Sequence, residues 1–296
     1  MREEIRKIQD MMEAAEYVTD APVATSVHLA TRLRKPLLIE GHAGVGKTEI
    51  AKVMARMLGT NLLRLQCYEG LDASTALYEW NYQKQLLHIK LAEGSAGPLE
   101  QREHEIFSEP FLLRRPLLQA ITQEDQSPVL LVDEVDRADE EFEAFMLEVF
   151  SEWQVTIPEI GTLKATHPPH VVLTSNRTRE LSDALRRRCL YLWIDYPSFD
   201  KEVRIVERKV PGVNARLARE IGRFMEVLRQ LRMSKVPGVA ETLDWANALV
   251  SLHADYLDEA IVFETLGCVL KDADDLKRFR AEVGKAGFAP FLPAEG

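Results

Sequence analysis

The sequence predicts an α/β fold with a parallel sheet, followed by a smaller all-helical domain. Short apolar segments alternate with helical segments as far as Tyr196 and Pro197, a pattern typical of a parallel sheet flanked by helices. A glycine-rich stretch, "GHAGVGKT", separates the first apolar segment from an amphipathic helix. Beyond Ser198 only helical periodicity remains, as in Leu217, Ile221, Phe224, Met225, Leu228 and Leu231. We therefore expect an α/β domain over residues 1–198 and a helical domain over residues 199–296.

The first 66 residues predict helix, strand, helix and strand in turn. Residues 1–35 combine scattered charges with apolar residues at helical spacing, and Pro36–Ile39 is a short apolar strand that ends at Gly41. Leu62–Gln66 predicts a second strand. The helix between the two strands has one apolar face, formed by Ile50, Val53, Met54, Met57 and Leu58.

Residues 72–127 carry weaker patterns, and we expect an insertion within this segment. Asp72 is a suitable N-cap for a short helix. The alternating stretch Leu86–Leu91 favours an extended hairpin, and a Gly-Ser-Ala-Gly-Pro loop follows it. Another helix is predicted near Pro116–Gln123.

Three apolar segments predict the remaining strands of the sheet, namely Val129–Val132, Val171–Thr174 and Leu190–Ile194. The first is wholly apolar, which is typical of a strand buried on both faces. Residues 142–150 show helical spacing again. Residues 153–165 predict a hairpin that turns at Pro-Glu-Ile-Gly.

Composition narrows the class of protein. The chain has 296 residues and a formal net charge of −10, and an acidic surface repels phosphate backbones, so we expect no stable binding of nucleic acid. Its three cysteines, Cys67, Cys189 and Cys268, are widely spaced and form no Cys-x-x-Cys, which argues against disulfides and structural zinc. The N-terminus is charged, and no segment approaches the roughly 18 apolar residues of a membrane span. We expect a cytoplasmic protein.

The glycine-rich stretch fits G-x-x-x-x-G-K-[ST], the pattern of a loop that binds nucleotide phosphates. Glycines turn backbone N–H groups inward at low cost, and the helix behind the loop presents its positive end. Lys47 is expected to reach the β- and γ-phosphates of ATP, and the Thr48 hydroxyl is expected to ligate Mg²⁺. The predicted binding residues are Gly41, His42, Ala43, Gly44, Val45, Gly46, Lys47 and Thr48.

Polar side chains that follow two later strands supply candidates for hydrolysis. Asp133 and Glu134 follow the apolar strand Val129–Val132. Asp133 is expected to hold Mg²⁺ through a water molecule, and Glu134 to polarise the attacking water. Asn176 follows the strand Val171–Thr174, at the sheet edge where ligands bind in open α/β folds, so it is a candidate to hold that water or to sense the γ-phosphate.

Three consecutive arginines, Arg186, Arg187 and Arg188, precede the last strand. Such a cluster is either a solvated face, a patch for nucleic acid, or the source of an arginine finger that neutralises charge on the transferring phosphate. His167 and His170 have metal-like spacing, but the two prolines between them favour a loop.

Taken together, these motifs resemble the AAA+ ATPases, and more closely the MoxR family and its CoxD-type subgroup, which serves carbon monoxide dehydrogenase maturation. The resemblance covers essentially the whole chain. It rests on the stretches "LLIEGHAGVGKTEIAKVMA", "LLVDEVDRAD", "LRRRCLYLWIDYP" and "VPGVAETLDWANAL".

The resemblance implies a ring, a hexamer in this family, with ATP at the subunit interfaces. It places Walker A at Gly41–Thr48, Walker B at Asp133 and Glu134, and sensor 1 at Asn176. It places the finger at Arg188, with the two preceding arginines as alternatives. It also implies remodelling of a protein client, of molybdenum hydroxylase type in this subgroup, and a partner with a von Willebrand factor A domain.

One position departs from the family pattern. Thr242 stands where MoxR proteins carry the sensor 2 arginine, and Arg232 and Lys235 are the nearby basic residues that could substitute for it. This departure favours a second hypothesis, an ATP-gated scaffold with little turnover. A third hypothesis is a nucleic-acid motor or clamp loader on the same fold, which the arginine cluster supports and the net charge opposes. A GTPase is disfavoured because the chain has no Asn-Lys-x-Asp stretch, and a small-molecule kinase needs no helical domain of this size.

Overall fold

The computed structural model describes residues 2–91 and 105–293. The Gly-Ser-Ala-Gly-Pro loop predicted at residues 94–98 lies outside the described residues. The chain divides into two compact units. The sheet unit comprises Pro22–Glu40 and Ile50–Leu192, and the helical unit comprises Met1–Ala21, Gly41–Glu49 and Trp193–Gly296. The functional domains 1–198 and 199–296 stay a prediction.

A five-stranded parallel sheet flanked by helices confirms the predicted fold class. The described strands, numbered in chain order, are β1 Leu37–Gly41, β2 Leu62–Gln66, β3 Tyr78–Trp80, β4 Leu112–Arg114, β5 Val129–Asp133, β6 Gln154–Ile157, β7 Gly161–Lys164, β8 His170–Ser175 and β9 Leu190–Ile194. The strand order of the sheet is β2-β5-β8-β1-β9, so β5 and β8 are neighbours and their carboxyl ends lie side by side.

Helices surround these strands and continue alone after β9. Short 3₁₀ turns cover Glu109–Phe111, Val135–Arg137, Leu266–Cys268 and Ala289–Phe291. The described α-helices are Arg2–Ala14, Ala21–Leu33, Lys47–Leu58, Ala73–Leu77, Tyr82–Leu91, Pro116–Ile121, Glu140–Glu152, Asp183–Arg188, Phe199–Lys209, Ala215–Gln230, Val239–Ser251, Glu259–Thr265 and Ala273–Ala286. Among the described residues, no helix is both long and apolar enough to cross a membrane.

Two small antiparallel pairs stand outside the main sheet. Strands β6 and β7 pair where the sequence predicts a hairpin, with Val155 opposite Leu163. Strands β3 and β4 also pair, an element that the sequence did not indicate. They are far apart in sequence, and each has only three residues, too few for a readable alternation.

The stretch Leu86–Leu91 is helical, so the predicted extended hairpin is wrong there. The anchoring residue on this helix is polar: Gln85 is 4% exposed, and its side-chain amide donates to the carbonyl oxygen of Ile106 at 2.7 Å. Leu86 and Leu87 are instead exposed. The apolar residues of this stretch therefore do not anchor the helix. A pattern of six residues is also too short to distinguish a helix from a strand.

Each unit has its own apolar core. In the sheet unit, apolar residues of the central strands are wholly buried, and the inner face of the helix Glu140–Glu152 packs in the same core. The core of the helical unit contains an aromatic cluster in which Phe224 contacts Trp245, Phe279 and Phe291, and Phe279 also contacts Phe291. The buried indole N–H of Trp245 donates to Thr265 Oγ1 at 2.8 Å, which satisfies its polar group.

Candidate nucleotide-binding site

The glycine-rich loop leaves β1 in a backbone conformation that only glycine accommodates. A Cβ on Gly41 would lie 2.2 Å from the carbonyl oxygen of Ile194. Gly44 and Gly46 have φ angles of +74° and +90°, in the region that L side chains rarely adopt. The loop is therefore built to turn backbone groups inward, as a phosphate cradle requires.

Lys47 is the charged group of this loop. Its side chain is 6% exposed, and its Nζ donates to the carbonyl oxygens of Gly41 at 2.8 Å and His42 at 2.5 Å. Lys47 is also the first residue of the helix Lys47–Leu58, so its ammonium and the positive end of that helix belong to one segment. These residues fit a bound phosphate in their chemistry.

Asp133 ends β5 in the sheet unit, and both of its carboxylate oxygens are engaged. Oδ1 accepts a short hydrogen bond from the Thr174 hydroxyl on neighbouring β8. Oδ2 accepts from Arg64 Nε at 3.0 Å and from Arg64 Nη2 at 2.6 Å. A carboxylate bonded in this way suits the predicted contact with Mg²⁺ through water better than direct coordination.

Glu134 follows directly and is held in a left-handed backbone conformation, with φ of 54°. Its backbone N–H donates to Thr174 Oγ1 at 3.0 Å, so one threonine orients both residues of the acidic pair. The Glu134 side chain is 39% exposed, with Oε2 3.8 Å from Arg137 Nε. It is an accessible carboxylate at the carboxyl edge of the sheet, as a water-polarising group must be.

Asn176 is held in place by an acidic residue that the sequence analysis did not single out. Asp136 is buried, and its carboxylate accepts the backbone N–H of Asn176 at 3.2 Å. The same carboxylate accepts the N–H of Thr178 at 2.8 Å and its hydroxyl at 2.7 Å. The structure thus brings Asp133, Glu134 and Asn176 to the adjacent ends of β5 and β8.

Glu40, the residue before the glycine-rich loop, is the centre of a second polar cluster in the sheet unit. The carboxylate is buried, and its two oxygens accept from Arg186 Nη2 at 3.1 and 3.0 Å. Tyr191 donates its hydroxyl to Glu40 at 3.0 Å, and Arg177 Nε lies 3.8 Å from the same carboxylate. The hydrogen bond to Glu40 raises the pKa of Arg186 above its ordinary value.

The three consecutive arginines therefore have three different surroundings. Arg186 is bound to Glu40, Arg187 is 83% exposed, and Arg188 Nη1 donates to the carbonyl oxygen of Leu147 at 2.9 Å. Leu147 lies on the helix Glu140–Glu152, as does buried Glu143, which accepts the backbone N–H of Ser182 at 2.9 Å. The assignment of the finger to Arg188 stays a prediction.

One buried thiol and one buried histidine have strongly shifted pKa values. Burial, together with the nearby carboxylates of Asp133 and its neighbours, raises the pKa of Cys67 to about 12, so this thiol stays protonated. Burial lowers the pKa of His170 to about 4, and the adjacent Arg34 guanidinium adds to the effect. Within residues 2–91 and 105–293, no group of three or more His, Cys, Asp and Glu side chains could hold a metal ion.

Sequence reasoning missed the residues that support the predicted ones: Glu40, Arg64, Asp136 and Thr174. Arg64 could not be assigned from the sequence, because its position depends on the strand register, in which Gln66 lies opposite Asp133 and Arg64 lies two residues earlier on the same face. For Asp136, the only signal was a further carboxylate in "VDEVDRAD".

A parallel sheet flanked by helices, with a phosphate loop after its first strand, defines the P-loop AAA+ fold. Residues 36–189, which are 154 of the 296 residues, match the AAA domain of the dynein-related subfamily. The chain belongs to this family of AAA+ ATPases.

The relatives found by sequence are distant. An uncharacterised protein of Staphylococcus haemolyticus is 24% identical over 240 residues, which cover 79% of this chain and 82% of that protein. An uncharacterised protein of Staphylococcus epidermidis is 23% identical over 248 residues, which cover 82% of this chain and 86% of that protein.

Solved structures share the fold. One variant of RuvB from Thermotoga maritima has a TM-score of 0.51 and 15% identity over 95% of this chain and 77% of that chain. Another has a TM-score of 0.50 and 17% identity over 94% of this chain and 74% of that chain. At this level of identity the likeness concerns the fold alone.

Proposed function

We propose that this chain is an ATP-hydrolysing AAA+ remodelling machine of MoxR type that works as a ring, a hexamer, on a protein client. The observation that carries hydrolysis, as opposed to binding alone, is the acidic pair after β5. Thr174 holds Asp133 through its carboxylate and Glu134 through its backbone, which leaves the Glu134 side chain 39% exposed at the carboxyl edge of the sheet. A carboxylate that only ended a strand in solvent would need no such support.

Each residue has a role in this proposal. The loop amides, Val45 and Ala43 among them, and the Lys47 ammonium bind the phosphates of ATP. Thr48 and Asp133 hold Mg²⁺, which neutralises charge on the phosphates when it is bound. Glu134 accepts a proton from the attacking water, Asn176 orients that water, and Arg188 supplies a guanidinium to the neighbouring subunit's site.

The role on a protein client is preferred to nucleic-acid transport because of the arginines. A protein of similar fold, RuvB of Thermotoga maritima, is a Holliday junction branch migration motor. In this chain, however, Arg186 is bound to buried Glu40, so the cluster offers only Arg187 and Arg188 as exposed charges. With a net charge of −10, this does not make a basic patch.

The finer proposals on the client come from the MoxR resemblance. They are a molybdenum hydroxylase of the carbon monoxide dehydrogenase type as client and a von Willebrand factor A domain protein as partner. Capture with a variant that binds ATP without turnover tests them: Glu134→Gln is expected to retain the client in the presence of ATP and to release it in ADP.

The central experiment compares Glu134→Gln with a matched control, Glu141→Gln. Glu141 lies in the first turn of the helix Glu140–Glu152 and is exposed. We expect Glu134→Gln to bind ATP normally but to lose about 10²–10⁴-fold in turnover, because a general base contributes this much. Glu141→Gln is expected to turn over like the wild type. Normal turnover by Glu134→Gln would refute the assignment, and background turnover by the wild type would favour an ATP-gated scaffold.

A mixing experiment tests the ring and its finger. Lys47→Ala and Arg188→Ala are each expected to be inactive alone. If the finger acts across a subunit interface, their mixture regains activity, since Arg188→Ala supplies an intact loop and Lys47→Ala an intact finger. A mixture of Lys47→Ala with Glu134→Gln has no intact site and is the control. Equal behaviour of the two mixtures would contradict a finger supplied by a neighbour.

A further inference from the structure

The helix Val239–Ser251 begins on the glycine-rich loop within the helical unit. The carbonyl oxygen of Gly44 accepts the backbone N–H of Val239 at 2.9 Å and that of Ala240 at 3.1 Å. The backbone N–H groups in the first turn of a helix have no hydrogen-bond acceptor within the helix. Here a carbonyl oxygen of the loop is that acceptor. Glu241 Oε2 accepts the N–H of Gly238 at 2.9 Å and completes the cap.

This contact depends on two glycines that approach each other closely. A Cβ on Gly238 would lie 2.7 Å from the carbonyl oxygen of Ala43 and 2.9 Å from Gly44 Cα, which no side chain tolerates. Gly44 itself has a positive φ angle, and a Cβ there would lie 3.1 Å from Glu241 Oε2. The close approach of the two segments "GHAGVG" and "VPGVAE" therefore requires glycine at both Gly44 and Gly238.

A second contact joins the same loop to the helices through an aromatic ring. His42 stacks on Tyr196 with ring centroids 4.5 Å apart and an interplanar angle of 9°. Arg229 lies over Tyr196, with Cζ 4.9 Å from the ring centroid. Its Nε donates to the carbonyl oxygen of Pro237 at 2.9 Å, directly before Gly238. Arg229 thus connects the Tyr196 ring to the start of the helix.

A buried ion pair fixes this arginine. Arg229 Nη1 and Nη2 donate to the two oxygens of Glu202 at 2.5 and 2.7 Å, and both side chains are almost fully buried. Thr242, the residue at the expected sensor 2 position, is wholly buried, and its hydroxyl donates to Glu202 at 2.7 Å. This position therefore contributes to packing between helices, and its neutral hydroxyl brings no charge to a phosphate.

We propose that Tyr196 and the Gly44 carbonyl transmit the state of the phosphate loop to the helix Val239–Ser251, in place of an arginine at position 242. Lys47 Nζ is bonded to the carbonyls of Gly41 and His42, so when Lys47 turns to a phosphate these carbonyls lose their donor. The peptide at His42 then moves, and with it the stacked ring and the Gly44 carbonyl. Tyr196 is a positioning residue in this proposal, which rests on nucleotide binding by the loop.

Hydrogen exchange measured by mass spectrometry tests this coupling in the full chain. Peptides that cover Val239 and Ala240 are followed with no nucleotide, with ADP and with a slowly hydrolysed ATP analogue. We expect the exchange rate of these amides to change at least about fivefold on binding in the wild type, because their acceptor moves. Tyr196→Phe should keep this response, and Tyr196→Ala should lose it while it still binds nucleotide.

Gly238→Ala provides a second, steric test, with Gly267→Ala as its matched control. The added methyl group forces the helix start away from the loop, so the two amides should exchange rapidly with or without nucleotide. At Gly267 a Cβ meets nothing within 4 Å, and the response should be normal. Thermal melts show that each variant is folded.

The outcomes separate the coupling from the proposed function. If nucleotide binds to the wild type and the amide exchange does not change, the coupling is refuted and the proposed function stands. A full response in Tyr196→Ala refutes the role of the ring. If the wild type does not bind nucleotide, or if Lys47→Ala binds it as well as the wild type does, the proposed function and the coupling are both overturned.

Discussion

Each unit of the chain has a buried glutamate that pairs with an arginine, Glu202 in the helical unit and Glu40 in the sheet unit, and these two pairs differ in how fully they are enclosed. In the helical unit, Glu202 is 0% exposed and Arg229 is 8% exposed. In the sheet unit, Glu40 is 2% exposed, but Arg186 is 37% exposed and therefore partly solvated. The carboxylates are equally buried, so the difference lies in what surrounds the arginines.

The partners of the two carboxylates also differ. Glu202 is bonded by Arg229 and Thr242, both of which are themselves enclosed by helices. Glu40 also accepts a hydrogen bond from Tyr191 and lies near a second guanidinium, and both of these side chains are more than half exposed. An enclosed pair fixes the helix packing, whereas a partly solvated pair can adjust with a smaller loss of stability.

The largest effect should come from Arg229→Ala. It leaves the Glu202 carboxylate without its charged partner in an apolar core, and we expect the free energy of unfolding to fall by about 3–5 kcal/mol. Urea denaturation followed by circular dichroism measures this. Arg223→Ala on the same helix removes a partly exposed pair with Glu226 and should cost at most about 1 kcal/mol. Equal losses in the two variants would show that enclosure does not set the strength of the first pair.

Arg186→Ala should have a smaller effect than Arg229→Ala. Tyr191 still donates to Glu40, and water can reach the site that the arginine leaves, so we expect a loss of about 2–3 kcal/mol in the same assay. Tyr191→Phe removes the remaining neutral donor to Glu40. In the Arg186→Ala background it should lower the free energy of unfolding by about 1 kcal/mol more than it does in the wild-type background. A loss as large as that of Arg229→Ala would remove the contrast between the two pairs.

His170 extends the comparison of buried charged groups, because it is a buried titratable residue whose protonated form would carry the same charge as the adjacent Arg34. Its pKa is lowered from 6.5 to about 4, mainly by burial and also by Arg34. Between these two pKa values the histidine is protonated in the unfolded chain and neutral in the folded chain. The free energy of unfolding therefore falls as the pH drops from about 6.5 towards 4. From this group alone, the free energy of unfolding should be about 2 kcal/mol lower at pH 5 than at pH 7.

His170→Gln tests this pH dependence, since glutamine does not titrate. The variant should lose less stability than the wild type between pH 7 and pH 5 in urea denaturation, whatever its absolute stability. His167→Gln, in the segment that precedes β8, is the matched control, because His167 is only partly buried. An unchanged pH dependence in His170→Gln would show that the buried histidine is not the group responsible.

The sequence was sufficient for the main sheet and for the glycine-rich loop because both depend on local patterns. Apolar strands such as Val129–Val132 and the helical spacing after Lys47 are readable without tertiary contacts. The strands β3 and β4 were not readable, since the pair joins short segments more than thirty residues apart.

The supporting groups of the site escaped prediction for the same reason. Glu40 lies in a strand that reads as apolar, and its partner Arg186 is 146 residues away. Arg229 reads as an ordinary charge on an amphipathic helix, and only the fold shows that it meets Glu202 and Tyr196. A sequence pattern identifies residues that contact a ligand through a shared motif, but not the residues that hold them.

The smallest expected effect concerns Arg187, the middle arginine of the cluster. Its side chain is 83% exposed, and its contact with Asp183 is 3.9 Å long between two exposed groups. Such a pair is worth little, so Arg187→Ala should change the free energy of unfolding by less than about 0.5 kcal/mol. Arg188→Ala, which loses the bond to the Leu147 carbonyl, should cost about 1 kcal/mol. If the loss in the free energy of unfolding, measured by urea denaturation, decreases in the order Arg186, Arg188, Arg187, then contacts with the rest of the chain, and not charge, determine how much each arginine contributes to stability. A loss at Arg187 as large as that at Arg186 would contradict this ranking.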